Sequence, residues 1–101
     1  MTLRRVQDLV INRLREDPAV AHMMLDEIML NLKVGEHDTA KLLLRDLVHA
    51  TLGFEGLAQQ LDKPSKSLHR MLSVRGNPTI SNMSAILACV SHYLDDMKEP
   101  A

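Results

Sequence analysis

The chain has 101 residues, of which 46% are apolar but only 2% aromatic, and its formal net charge at pH 7 is −1. A chain of this length forms one domain that can bury a core without covalent crosslinks. Its single cysteine, Cys89, excludes an internal disulfide and fits a reducing compartment. No stretch approaches the ~18 consecutive apolar residues of a transmembrane helix, and the charged N-terminus lacks the apolar centre of a signal peptide. We therefore expect a cytoplasmic protein with no membrane partner. Its aliphatic core favours helices over strands.

The first third of the chain is predicted to form two helices. Apolar residues recur at helical spacing over residues 3–16, at Leu3, Val6, Val10 and Leu14. A second helix should begin at Asp17-Pro18 and run to about Lys33, because a capping carboxylate followed by proline favours a helix start. Its apolar residues fall on two sides: Val20, Met23, Met24, Ile28 and Leu32 on one, and Leu25, Met29 and Leu30 on the other. So wide an apolar surface fits either a central core helix or a helix that binds a partner chain.

Two further long helices are predicted on either side of the middle of the chain. Gly35 is placed to end the second helix, and Asp38 is placed to cap a third helix that runs to Leu52. The inward side of this third helix should carry Ala40, Leu43, Leu44, Leu47, Val48 and Thr51, and its water-facing side Lys41, Arg45 and Asp46. The last helix should begin with a cap at Thr79 or Ser81 and run to about Met97, with a stripe of Ile80, Met83, Ile86, Leu87, Val90 and Leu94. A polar tail follows Lys98.

Two short helices joined by a tight turn are predicted between Phe54 and Thr79. Asp62-Lys63-Pro64 should end the first of them, because proline cannot extend a helix and disfavours helical geometry in the residue before it. Pro64 then suits the first position of the second helix, which carries Leu68, Met71 and Leu72 inward. Five polar side chains of this helix are left outside: Ser65, Lys66, Ser67, His69 and Arg70. The predicted fold is all-α, with five to six helices in a compact domain.

Positive charge is concentrated on and around this second short helix. No Asp or Glu occurs between Lys63 and Leu94, and the first part of that run contains Lys63, Lys66, Arg70 and Arg75. The acidic residues lie in residues 17–46 and 95–99 for the most part, so a net charge of −1 is compatible with one cationic face. A protein that binds nucleic acid through one face needs this asymmetry. A solvated helix face that is basic without binding anything would show the same charge pattern.

The motifs in this part of the chain resemble a known family. The segments LAQQL, SKSLHRMLS, GNPT and AIL, in this order, are similar to the lambda-repressor/Cro-type helix-turn-helix. More narrowly, the chain resembles the HigA-like addiction-module antidotes, through NLKVGEHDTAKLLLRDLVHATLGFEGLAQQL. The resemblance covers residues 26–94 and leaves out residues 1–16. Within a single structural unit we accordingly distinguish an N-terminal helical extension, residues 1–35, and a helix-turn-helix DNA-binding domain, residues 36–98.

The resemblance implies a sequence-specific, DNA-binding transcriptional regulator. Such a protein acts as a repressor, by binding a palindromic operator in double-stranded DNA as a homodimer. The antidote branch implies an alternative, in which the chain is an antitoxin whose main role is to bind and neutralise a small toxin protein. Repression of its own gene would then be secondary.

Eight residues are the candidates for DNA contact: Lys63, Ser65, Lys66, Ser67, His69, Arg70, Arg75 and Asn77. By position, the base-reading sites of the family fall on Ser65, Lys66 and Arg70, and its phosphate-binding sites include Arg75 and Asn77. The chain departs from the family at Phe54, where glutamine is common, and at Asp62, where glycine is usual.

No motif predicts catalysis, a cofactor or a metal site. The five histidines show neither HExxH spacing nor a nearby cysteine pair, and there is no glycine-rich phosphate loop. Cys89 lies within the apolar segment AILACV and is predicted to be a buried small hydrophobe. We expect a binding protein and not an enzyme.

Overall fold

Six α-helices account for most of the part of the chain that the computed structural model describes, which is the backbone of residues 3–98 and the side chains of residues 5–97. They are α1 (Leu3–Glu16), α2 (Pro18–Lys33), α3 (His37–Ala50), α4 (Gly53–Leu61), α5 (Ser65–Met71) and α6 (Ile80–Lys98). The all-α prediction is confirmed, and no strand occurs within residues 3–98. The radius of gyration is 13.0 Å, close to the ~13 Å expected of a folded chain of about 100 residues. The predicted tail after Lys98 lies outside the described residues.

Several predicted helix ends are confirmed by the bonds that form them. The Asp17 side chain accepts a hydrogen bond from the backbone N–H of Ala19 at 3.1 Å, and the Thr79 hydroxyl accepts one from the N–H of Asn82 at 3.1 Å. Gly35 follows α2 with a φ of 87°, a left-handed conformation that glycine adopts without steric cost. These caps position α2 and α6 through local chemistry alone.

The predicted ends of α3 are wrong at both sides. The helix begins at His37 after Glu36, so Asp38 lies in its first turn and does not cap it. The helix stops at Ala50, because Thr51 leaves helical geometry at φ −108° and ψ −112°. The Thr51 hydroxyl donates to the carbonyl of Leu47 at 2.7 Å. The following glycine, Gly53, has a φ of 72° and opens α4.

One aliphatic core joins all six helices. The residue with no exposed surface on α2, Ile28, packs in the same cluster as Leu44 of α3, Leu57 of α4 and Ile86 of α6. Among the described side chains of α1, residues 5–16, only Leu14 is buried. The division of the chain near residue 35 stays a prediction, but α2 and the later helices bury one continuous apolar cluster.

Three residues that were predicted to face the core lie on the surface: Val6, Met23 and Ile80. Val6 is exposed because only the C-terminal half of α1 is packed. Met23 lies two residues after the buried Ala21, which turns its side chain about 200° away from the core. Ile80 opens α6, and the buried stripe of that helix starts one turn later, at Met83.

Candidate nucleic-acid interface

Helices α4 and α5 are joined by a turn of three residues, Asp62–Pro64, and we call residues 53–71 the α4–α5 unit. Asp62 adopts the left-handed conformation, with φ 53° and ψ 49°, which is one of the few conformations that aspartate shares with glycine. The N–H of Lys63 then donates to the carbonyl of Ala58 at 3.1 Å, which closes the end of α4. Aspartate can therefore form the turn in which the resembled family has glycine.

Pro64 was predicted to be the first residue of α5, but it lies directly before the helix, which begins at Ser65. Its backbone is extended, with φ −62° and ψ 137°, and its carbonyl accepts from the N–H groups of Ser67 and Leu68 at 3.1 and 3.3 Å. Proline suits this position because the position requires no backbone donor. Helix α5 is therefore short, with seven residues.

The inward and outward faces of α5 follow the predicted periodicity. Leu68 and Leu72 are fully buried and Met71 is half-buried, whereas three side chains on the opposite face are exposed: Lys66, His69 and Arg70. The two serines, Ser65 and Ser67, were predicted to lie outside and are half-buried instead. The α4–α5 unit thus presents a short helix whose exposed face carries cations.

Four of the eight candidate residues lie around one shallow depression of about 350 Å³. It is lined by side chains of α5 and of the segment that follows it: Ser67, Arg70, Arg75 and Asn77, with Met71 and Gly76. Lys63 and Ser65 lie elsewhere, in a second depression that also contains Glu55 and Asp62. Six of the eight candidate residues therefore form two groups, of which only the first has no carboxylate among its lining residues, and Lys66 and His69 line neither depression.

The cations on this face have no acidic partner within the described part of the chain. Among the described side chains, Arg13 pairs with Asp17 and Lys41 pairs with Asp38, whereas Lys66, Arg70 and Arg75 pair with no carboxylate. The side chains of these three residues are all exposed. Their charge is available to an anionic ligand such as a phosphate.

His69 packs against the protein itself through its ring. The imidazole stacks on the ring of Phe54 with centroids 3.8 Å apart and an interplanar angle of 18°. Phe54 is buried, and His49 completes the cluster with its ring centroid 5.0 Å from that of Phe54. Phe54, at the position where the resembled family has glutamine, is therefore a core residue. The DNA contact predicted for His69 would have to use the ring face that is not stacked on Phe54 or the ring edge.

The third ring of this cluster, that of His49, has a lowered pKa, which favours the neutral imidazole. Burial lowers the pKa of His49, and the neighbouring His69 and Arg45 side chains lower it further, against a smaller opposite effect of Asp46. The Arg15 guanidinium also donates to the His49 carbonyl at 3.0 Å, which ties α1 to the end of α3. Arg15 therefore has a structural role at the C-terminus of a helix, where a cation is favoured.

Lys41 is the one charged side chain of α3 that is buried. It was predicted to face water, but it is 5% exposed, and its ammonium group donates to the carbonyls of Ser73, Val74 and Gly76 in the segment after α5. A signal was present in the spacing, because Lys41 lies three residues before Leu44 and seven before Val48, both of which are buried. The residue type instead predicted the water-facing side of α3, since lysine is almost never fully buried unless it is paired.

Other kinds of site find no support in the described residues. No group of three His, Cys, Asp or Glu side chains there could hold a metal ion. Cys89 is half-buried, and burial raises the pKa of its thiol, which disfavours a reactive thiolate. None of the described helices combines the length and the apolar character that crossing a membrane requires.

Comparisons of the chain with protein-family models, with curated protein sequences and with solved structures gave no match. The likeness of residues 26–94 to lambda-repressor/Cro-type regulators therefore rests on the sequence motifs described above.

Proposed function

We propose that this protein is a sequence-specific DNA-binding regulator that acts as a repressor, bound as a homodimer to a palindromic operator. The observation that carries the proposal is the exposed face of α5 with the segment after it, where Lys66, Arg70 and Arg75 have no carboxylate partner among the described residues. The resemblance of the same segment to the lambda-repressor/Cro-type motif supports it.

The roles of the cations follow from their reach and position. Arg70 is exposed on α5, and a guanidinium can donate two hydrogen bonds to O6 and N7 of guanine in the major groove. Arg75 lies beyond the helix and suits a phosphate, which positions the protein without reading sequence. Lys66 can serve either purpose.

Dimerisation is proposed because one seven-residue helix can contact only a few base pairs. Two copies on a palindrome would place two such helices about 34 Å apart, one turn of DNA, and would double the number of bases read. A bound dimer would cover the operator and so exclude other proteins from it.

We expect Arg70→Ala and Arg75→Ala to weaken DNA binding in different ways. Arg70→Ala should lower affinity for the preferred sequence by about 5- to 150-fold, which corresponds to ~1–3 kcal/mol, and should barely change affinity for a scrambled duplex. Arg75→Ala should weaken binding to both duplexes alike and should reduce the salt slope by about one. The measurement is fluorescence anisotropy, with a duplex selected by the wild-type protein from a random library, over a range of salt concentrations.

The matched control is Lys33→Ala, which removes one exposed positive charge at the end of α2 and should leave both affinities unchanged. The proposal fails if the wild-type protein enriches no sequence from the library. It also fails if Lys33→Ala weakens binding as much as Arg70→Ala, because the effect would then come from net charge and not from the α5 face.

A second candidate function is that of an antitoxin, and one observation favours it. The last turns of α2 expose the apolar side chains of Met29 and Leu30 to solvent, and Val34, directly after the helix, is exposed as well. Exposed apolar residues that lie together on one helix are typical of a surface that binds another protein.

If the chain is an antitoxin, it should co-purify with the product of a small neighbouring gene, and Leu30→Asp should abolish that association. A new charge in an apolar interface is costly because it must be desolvated without a partner. Gln7→Asp, at an exposed polar position of α1, is the control and should leave the complex intact. Loss of co-purification with retained DNA binding would separate the two functions, and a complex that survives Leu30→Asp would contradict this surface.

A further inference from the structure

The segment between α5 and α6, residues 72–79, is held closely against the end of α5, and we call it the post-α5 loop. The N–H of Ser73 donates to the carbonyl of Arg70 at 3.2 Å, and the Ser73 hydroxyl donates to the same carbonyl at 2.7 Å. The N–H of Gly76 donates to the carbonyl of Ser73 at 3.0 Å. The loop thus turns back on itself directly after the helix.

This turn leaves three backbone carbonyls directed at a single donor. The Nζ atom of Lys41 lies 3.1 Å from the carbonyl oxygen of Ser73 and 3.2 Å from that of Val74, and it also donates to the carbonyl of Gly76. An ammonium group has three N–H donors and no acceptor. The three carbonyls therefore satisfy the group fully, and a carboxylate oxygen of Asp38 at 3.4 Å supplies the opposite charge.

Arg75 lies in the middle of this arrangement without taking part in it. Its two neighbours in the chain, Val74 and Gly76, both accept hydrogen bonds from Lys41, so the backbone is held on either side of it. The Arg75 side chain is exposed and lines the same depression as Arg70 and Asn77. A buried lysine on α3 thus holds the backbone from which the Arg75 side chain extends.

We propose that Lys41 is a positioning residue for DNA binding, which sets Arg75 and Asn77 beside α5 without contacting the nucleic acid itself. Lys41 is 5% exposed, so its charge cannot reach a phosphate directly. This assignment rests on the proposed DNA-binding function for its purpose, but the anchoring of the loop by Lys41 can be tested in the free protein.

The first arm of the test needs no DNA. In Lys41→Met, which keeps most of the length of the side chain and removes its donors, the amides of Ser73 and Gly76 should exchange with solvent about tenfold faster or more. The amide of Val90, in the buried stripe of α6, reports global unfolding and should be accelerated less. Lys33→Met, which removes an exposed charge, should change none of the three. Equal acceleration at Ser73, Gly76 and Val90 would show that Lys41 serves general stability only, and would overturn the proposal.

The second arm measures DNA affinity in a double-mutant cycle with the selected duplex. Lys41→Met should weaken binding and reduce the salt slope by about one, as Arg75→Ala does. The double variant should bind within about twofold of Lys41→Met alone, because Arg75 no longer contributes once its backbone is released. Additive losses in the double variant would show that Lys41 does not act through Arg75, and would overturn the proposal.

The outcomes separate the two claims. If the wild-type protein binds no DNA while exchange at Ser73 and Gly76 responds selectively, the proposed function fails and the anchor stands as a property of the fold. If Lys41→Met does not fold, both arms are carried out on Lys41→Gln, whose amide can still donate to part of the carbonyl set. The same selective exchange and the same lack of additivity are expected of it, at smaller size, and their absence overturns the proposal.

Discussion

Ile28→Ala should lower the free energy of unfolding by about 2–5 kcal/mol, the range measured when a large aliphatic side chain is removed from a well-packed core. Ile28 has no exposed surface, and it joins α2 to the cluster that α3, α4 and α6 share. The substitution removes apolar contact on all sides and leaves a cavity that a helix held at several positions cannot close. Urea denaturation followed by far-ultraviolet circular dichroism would give the loss.

The control for this prediction is Leu30→Ala on the same helix. The Leu30 side chain is 52% exposed, so its truncation should change the free energy of unfolding by no more than about 0.5 kcal/mol. If the two variants lose the same small amount, α2 does not contribute to the core. Residues 1–35 would then be a separate extension, against the single domain that the chain length predicts. A large loss for Ile28→Ala alone would show that α2 belongs to the same folding unit as α3, α4 and α6.

Gly76→Ala should also be strongly destabilising, at or above the upper end of the ~1–3 kcal/mol range for overpacking. A Cβ atom at this position would lie 2.0 Å from the carbonyl oxygen of Arg70 and 2.4 Å from that of Met71. Both obstacles are backbone atoms at the end of α5, so no side chain can move aside to admit the methyl group. The expected relief is displacement of the post-α5 loop, with loss of the three carbonyls that accept from Lys41.

The matched control here is Gly56→Ala, within α4. Its added Cβ would meet only the side chain of Leu52, at 3.2 Å, and alanine is favoured over glycine inside a helix by ~0.5–1 kcal/mol. We expect the two effects largely to cancel, so that stability changes by less than about 1 kcal/mol. Measured in the same denaturation experiment, a Gly76→Ala protein as stable as the wild type would show that the loop does not pack on the end of α5. The anchor proposed for Lys41 would then lose its basis.

The helices themselves could be predicted from sequence because their signals are local. Asp17-Pro18 and Thr79 act on backbone groups within three residues, and the spacing of Leu68 and Leu72 defines the buried side of α5 from within one helix. The ends of α3 could not be predicted as well from sequence. The Asp38 carboxylate could have capped the helix by residue type, but in the structure it lies beside Lys41.

Some features of the candidate site could likewise be predicted from sequence, and others could not. The exposure of Lys66 and Arg70 follows from helical periodicity, and the lack of acidic residues between Lys63 and Leu94 leaves them no carboxylate partner nearby in sequence. Sequence was sufficient for both features. The stacking of His69 on Phe54 could not be predicted, because the two rings belong to different helices and meet only when α4 and α5 fold together.

Lys41 shows most clearly where local information ends. Composition, periodicity and capping chemistry specify which segments become helices and which side of each helix is apolar, since these depend on neighbours one or two turns away. The environment of Lys41 depends on carbonyl groups 32 to 35 residues further along the chain. A lysine is stable inside a protein only when such acceptors surround it. In this fold they are supplied by the post-α5 loop, which the tertiary structure places against α3.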